Sequence, residues 1–365
     1  MKSRQIDQTQ SYKRSFFSKL LIAGSIFVGC TTYALAYSPN TAGNIPGDDF
    51  NISSDTSAII AAPSFKQKGL FFRGPQKKTA KEQLAFAQEL EKNKKFKKAT
   101  KAYEHLVIEW PTAPEAPTAQ LGVARTLELR EKHIEAYREY QYLINNYDVR
   151  HLPEGISYKD VLNGQFRIAN YYLARLDSSF LGIGSIGVEG VADAFAQIAK
   201  NAPEWERASE CLLKRGLAYE TVGRYVDAIF EYEDLVGRYA GTDVAIEALY
   251  RAAISRHHLA MNAPRDEKTL RNAIVAMSLA MNSNPFHQYA EATGVHKKEI
   301  EAKLTALLFE KAEFYDKIKV NPKAALISYK SFVKEFPLAK EAPEAKLRIE
   351  KLEAIVSKDE GSNSK

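Results

Sequence analysis

The sequence predicts an all-α fold: a superhelix, or α-solenoid, of about six helical hairpins closed by a C-terminal capping helix. Three observations carry this. Helical periodicity begins at Thr79 and runs to Val356, with no alternating run that would form a strand. An alanine followed by a large residue at +4 and an apolar one at +7 recurs through that stretch. Turn residues and prolines cut it into helix pairs, none of which can bury its apolar stripe alone, so the pairs must stack. Residues 216–239 (GLAYETVGRYVDAIFEYEDLVGRY) are the best-formed pair. Gly216 and Tyr219 share a face of a first helix, Gly223 stops it, and Ala228, Tyr232 and Leu235 recur at i, i+4 and i+7 on a second.

Residues 1–36 read as an export signal, with basic residues up to Lys19, an apolar run (LLIAGSIFVG) from Leu20 to Gly29, then small residues. Ten apolar residues are too few to span a bilayer as a mature helix. Two exits are open. Val28–Gly29–Cys30 is similar to a bacterial lipobox, which would make Cys30 a lipid anchor. Ala34–Leu35–Ala36 is an A-x-A site that would release a soluble product beginning at Tyr37. The formal net charge is +6, but this leader holds Lys2, Arg4, Lys13, Arg14 and Lys19 against Asp7 alone, which accounts for four of those charges. The remainder gives no reason to expect nucleic acid as a partner. With 45% hydrophobic and 26% charged residues, the chain has ample material for a packed core. Residues 37–78, rich in Ser, Thr, Asn, Gly and Pro, read as a flexible tether.

The repeat region is expected over residues 79–357. Its register alanines and their followers are Ala99, Tyr103, Leu106; Ala136, Tyr140, Leu143; Ala228, Tyr232, Leu235; Ala273, Met277, Ala280; and Ala325, Tyr329, Phe332. A degraded copy surrounds Ala194 and Ile198. Pro111, Pro285 and Pro337 stand at +12, where they stop the helix. About thirteen helices are expected, the last over residues 341–356 as a cap, with residues 358–365 a disordered tail. The register tyrosines read as core residues between helices rather than as a binding groove. Insertions at residues 148–162 and 177–189 are the loops on which a further function would sit.

The chemistry-bearing motifs are weak. Gly182, Gly184 and Gly187 spell the dinucleotide fingerprint, but a helical pattern precedes them and no strand closes the unit. His257 and His258 lie about 100° apart on a helix and cannot share one metal from it. The other histidines (105, 133, 151, 287, 296) show no ligand spacing, so no metal site is expected. No nucleophile elbow, phosphate loop or catalytic carboxylate pair is recognisable, so neither cofactor, small-molecule substrate nor enzymatic activity is expected. Cys211, without a partner, reads as a small buried residue. Lys92, Lys94, Lys95, Lys97, Lys98 and Lys101 cluster at the first hairpin turn. Such a run is commonly a solvated face; the sharper reading gives Lys94, Lys95 and Lys98 anionic lipid head groups or an acidic partner segment.

The spacing of Gly216, Tyr219, Ala228 and Tyr232 resembles the tetratricopeptide repeat, and Ala87, Leu90, Ala99, Tyr103 and Pro111 match it in the first unit. Successive alanines are 37, 58, 34, 45 and 52 residues apart, against that family's period of about 34. In tetratricopeptide repeats the groove is lined from the first helices. The matching positions here are Leu84, Gln88 and Glu91, then Leu121, Arg125 and Glu128, then Leu213, Leu217 and Glu220, a mixture suited to an extended peptide.

The signal, the tether, turns reading EWP and EFP, and the stretch AEFYDKIKVNPKAALISYKSFVKEFPLAKEAPEAKLRIEKL together resemble the BamD-like tetratricopeptide lipoproteins of the outer-membrane β-barrel assembly machinery. The stretch YYLARLDSSFLGIGSIGVEGVADAFAQI is similar to the long loop in that family's third repeat. The resemblance covers roughly residues 80–356. It departs in having about six hairpins where the family has five. It implies a non-catalytic scaffold at the periplasmic face of the outer membrane, or soluble in the periplasm if cleavage follows Ala36. It further implies the barrel-assembly core subunit and nascent outer-membrane proteins as partners, and Cys30 as the membrane anchor. Two alternatives stand beside it. One is another periplasmic scaffold coordinating cell-envelope or peptidoglycan processes; the other is an enzyme or solute-binding module built on the loops at 148–189.

Overall fold

A computed structural model of the chain describes residues 74–176 and 186–362, apart from the side chains of 358–362. All of them belong to one compact unit, Ile52–Lys365. The expected signal, Cys30, the tether up to residue 73, Gly182, Gly184 and residues 363–365 lie outside the described residues. Thirteen α-helices and no strand are present among the described residues. They are α1 (Ala80–Lys92), α2 (Phe96–Glu109), α3 (Ala116–Glu128), α4 (His133–Asn146), α5 (Tyr158–Leu173), α6 (Val188–Asn201) and α7 (Ala208–Thr221). There follow α8 (Tyr225–Arg238), α9 (Asp243–Asn262), α10 (Glu267–Ser283), α11 (Ala290–Glu313), α12 (Pro322–Glu335) and α13 (Ala342–Ser362). Each packs chiefly on its neighbours in sequence, and α9 also meets α11, as first helices of successive hairpins do in an α-solenoid. Six helical hairpins, α1–α2 to α11–α12, are followed by the cap α13.

The register residues explain the stack. Every one of the fifteen, from Ala99 to Phe332, is at most 2% exposed, and Ala194 and Ile198 are fully buried. The tyrosine rings fill space left by missing side chains. A Cβ on Gly122 would lie 2.7 Å from the ring of Tyr103, and one on Gly216 would lie 2.5 Å from that of Tyr232. Tyr232 thus packs on the first helix of its own hairpin, whereas Tyr103 packs on that of the next. The core is divided into three successive clusters, with Leu308 and Phe336 touching both the second and the third.

Helix ends follow local rules. Trp110, Asn284 and Phe336, each preceding a proline, are the C-caps of α2, α10 and α12. Thr79, Thr242 and Asn321 cap α1, α9 and α12, their side-chain oxygens accepting from Glu82, Ala245 and Ala324 N–H. Hairpin turns repeat one device, a residue with positive φ five positions before the register alanine: Lys94, Glu131, Gly223 and Val320. In the first, Lys95 N–H reaches back to Leu90 C=O and Lys94 N–H to Glu91 C=O; the same pair recurs at Lys132 and Glu131 and at Arg224 and Gly223. The last residues of the expected tether are pinned to the first hairpin. Gln76 and Lys77 N–H donate to Gln83 Oε1, and Gln83 Nε2 donates to Ala102 C=O. The cap α13 runs to Ser362, past the end expected at Val356.

Candidate functional site

The first-helix face carries the groove positions named from sequence. Leu84 and Leu121 are half-buried and packed on the core, Leu213 is buried, and Leu217 is half-buried. Gln88 and Arg125 are exposed. The acids of this set are engaged within the chain. Glu91 accepts from Tyr103 Oη at 2.7 Å and from both Arg125 Nε (2.6 Å) and Nη2 (2.7 Å). Glu128 accepts from Tyr140 Oη at 2.8 Å and from Arg167 at 2.9 and 3.0 Å. Glu220 accepts from Tyr232 Oη and, at 3.4 Å, from Arg251. Asp316 accepts from Tyr329 Oη at 3.3 Å and from Arg348 Nη2 at 2.7 Å.

These are four copies of one arrangement. An acid at the end of a first helix, or in the turn just past it for Asp316, meets a tyrosine from the second helix of the same hairpin and an arginine from the first helix of the next or, for Arg348, from the cap. Burial pushes the Glu91 carboxyl up, but the Arg125 and Tyr103 hydrogen bonds outweigh it and hold it below the ordinary carboxylate range. Arg348 does the same to Asp316. Burial, with the neighbouring acid, raises the Tyr103, Tyr140 and Tyr329 hydroxyls. The arginine heads of the first two copies stay half in solvent, with side chains 50% and 57% exposed. The face therefore presents a row of paired charges rather than free acids. The sequence signal, unread above, is an acid twelve residues before the register tyrosine: Glu91, Glu128 and Glu220. Where the register residue is Ile198 or Met277, that place holds Ile186 or Arg265.

The second-helix face carries a stripe that sequence reasoning missed. Two residues after the register alanine, Phe230 on α8, Val275 on α10 and Ile327 on α12 are 69%, 67% and 70% exposed. The same position in the first two hairpins holds Lys101 and Arg138. Val226 and Leu279 widen the stripe, and an open cleft between α8 and α10, floored by Leu249 and Ala252 of α9, adjoins it. Glu233 and Arg256 form an ion pair at its rim. The signal was available: apolar residues at a position the helical register places outside the core.

Lys94, Lys95 and Lys98 are exposed around the first turn, and no ion pair joins them to a described residue. Cys211 is fully buried and its thiol is pushed up to about 12 by that burial, as expected of an inert core residue. The histidines differ from expectation. His257 of α9 meets His296 and Glu299 of α11, residues no sequence spacing had linked, because two first helices come together across α10. No described helix is long and apolar enough to cross a membrane.

No family profile and no curated protein matches the chain. Among solved structures it is similar to a tetratricopeptide repeat protein from Parabacteroides merdae ATCC 43184, at 14% identity and a TM-score of 0.29, over 75% of this chain and 98% of that one. It is also similar to the C-terminal part of a TPR repeat-containing protein from Cytophaga hutchinsonii, at 14% identity and a TM-score of 0.22, over 72% and 98% of the two chains. The fold assignment rests on the helix packing described above.

Proposed function

We propose that this protein is a non-catalytic scaffold that binds other proteins. The observation that carries the reading is the stripe of Phe230, Val275 and Ile327, large apolar side chains in solvent at one register position of three successive hairpins. Exposed large apolar side chains that recur at one position along successive repeats mark partner surfaces in proteins whose core is already filled. The row of Glu–Arg pairs on the first-helix face supplies a second, polar surface, suited to an extended segment.

Within that reading, the protein acts in outer-membrane β-barrel assembly, held at the periplasmic face by a lipid on Cys30 and docking the barrel-assembly core subunit and nascent outer-membrane proteins. The resemblance of residues 80–356, the leader and the tether support this assignment. Lys94, Lys95 and Lys98, close to the tether, would meet the membrane surface or an acidic partner segment. A pull-down of natively expressed protein from membranes, combined with the mass of the mature N-terminus, tests both parts. A diacylated Cys30 and a co-purifying barrel-assembly subunit are expected; a free Tyr37, or a partner set without any such subunit, refutes the corresponding part.

The stripe is tested separately. Phe230→Glu combined with Val275→Glu should leave the melting temperature within about 0.5 kcal/mol equivalent, since neither side chain is in the core. Partner retention should weaken by at least about 2 kcal/mol, roughly thirtyfold, if these are anchor residues.

A further inference from the structure

We infer that His257, His296 and Glu299 form a binding site for a divalent transition metal, zinc foremost, that ties helix α9 to helix α11. One donor atom from each of the three lies within 4.8 Å of the other two. His257 Nε2 is 3.2 Å from Glu299 Oε2, and the His257 and His296 rings approach to 4.1 Å between centroids. His296 and Glu299 are three residues apart on α11, so both project from one face of it, and His257 closes the set from α9. Two imidazoles and one carboxylate are the donor set of tetrahedral zinc sites that leave the fourth position to water, with bonds of about 2.0–2.2 Å. Calcium and magnesium, which seek oxygen, are disfavoured by two nitrogens.

The second observation is independent of that spacing. His257 is 7% exposed, and its Nδ1 has no hydrogen-bond partner. Its Nε2 meets Glu299, a member of the candidate set, so this buried imidazole keeps hydrogen-bonding capacity that the surrounding helices leave unfilled. His258, beside His257, is stacked on Tyr225 with 4.6 Å between centroids and nearly parallel rings, which holds it out of the donor set. Glu299 is 42% exposed along its side chain, so rotation can bring its carboxylate onto an ion shared with the two rings.

The full chain, carrying no histidine tag and stripped with chelator, is titrated with zinc chloride by calorimetry and with cobalt(II) by visible absorption. One equivalent should bind, with the intense d–d bands of a tetrahedral centre, and zinc should raise the melting temperature. Glu299→Gln, at an exposed position, and His296→Ala, at a half-buried one, should keep the metal-free circular dichroism of the wild type, and Glu299→Gln its melting as well. Each should weaken binding by at least about tenfold, as even outer-shell changes do, and the double variant should not bind. Absence of a stoichiometric site in the wild type, or wild-type affinity in both single variants, overturns the assignment.

Discussion

At the scale of single residues, the stack is set by what glycine and tyrosine do to each other. At Gly216 an added methyl would fall 2.5 Å from the Tyr232 ring, which is fully buried and has nowhere to retreat. Alanine is about 1 kcal/mol the better helix former, but overpacking of a filled core costs about 1–3 kcal/mol. Gly216→Ala should therefore lower stability in a urea titration, by on the order of 1 kcal/mol, against the propensity trend. Tyr103→Phe keeps the ring and removes only the hydroxyl donated to Glu91. It should cost about 1–2 kcal/mol, as expected of a hydrogen bond to a charged group, with the circular dichroism unchanged.

At the scale of elements, one turn is used repeatedly, and three of its four copies, at Lys94, Glu131 and Val320, are built from residues other than glycine. Glu131 has φ 59° in the position that Gly223 fills at φ 77°. A side chain in this left-handed region costs about 1–2 kcal/mol, whereas glycine adopts it freely. Glu131→Gly should accordingly stabilise the second hairpin, by up to about 1 kcal/mol after the entropy glycine adds to the unfolded chain; thermal denaturation reads the sign directly. The last hairpin shows how an insertion is absorbed. Its acid, Asp316, precedes Tyr329 by thirteen residues rather than twelve, and residues Phe314–Ile318 form a π turn, with Lys319 N–H bonding Phe314 C=O. The wider turn takes up the extra residue, and Asp316 still reaches both Tyr329 and Arg348.

At the scale of the whole repeat region, the acid–tyrosine–arginine sets tie the first, second and fourth hairpins to the helix that follows each, and the last set ties the sixth hairpin to the cap, since Arg348 belongs to α13. Glu91 and Asp316 titrate below their unfolded values in the folded chain. A depressed carboxylate contributes stability that is fully present above the unfolded value, about 4, and is lost as pH falls through the folded one. Stability measured in denaturant should thus fall below about pH 4 in the wild type, and Asp316→Asn should flatten that fall. At pH 7 the same substitution should cost about 1–3 kcal/mol, because the site is buried on the carboxylate side and partly open on the arginine side.

By itself, the sequence determined the hairpins, their number and their core. Helical periodicity and the Ala–x3–Tyr register are local in the chain, and the same residues, Ala99 to Phe332, prove buried because local periodicity decides which face of a helix is apolar. Tertiary structure alone decided which distant residues meet. Glu91 and Arg125 are 34 residues apart, Glu128 and Arg167 are 39 apart, and His257 and Glu299 are 42 apart. Such pairs depend on how first helices of successive hairpins stack, and irregular insertions between hairpins hide that spacing from any reading along the chain. The same stacking turned residues expected to await a partner, Glu91, Arg125, Glu128 and Glu220, into contacts that the chain makes with itself.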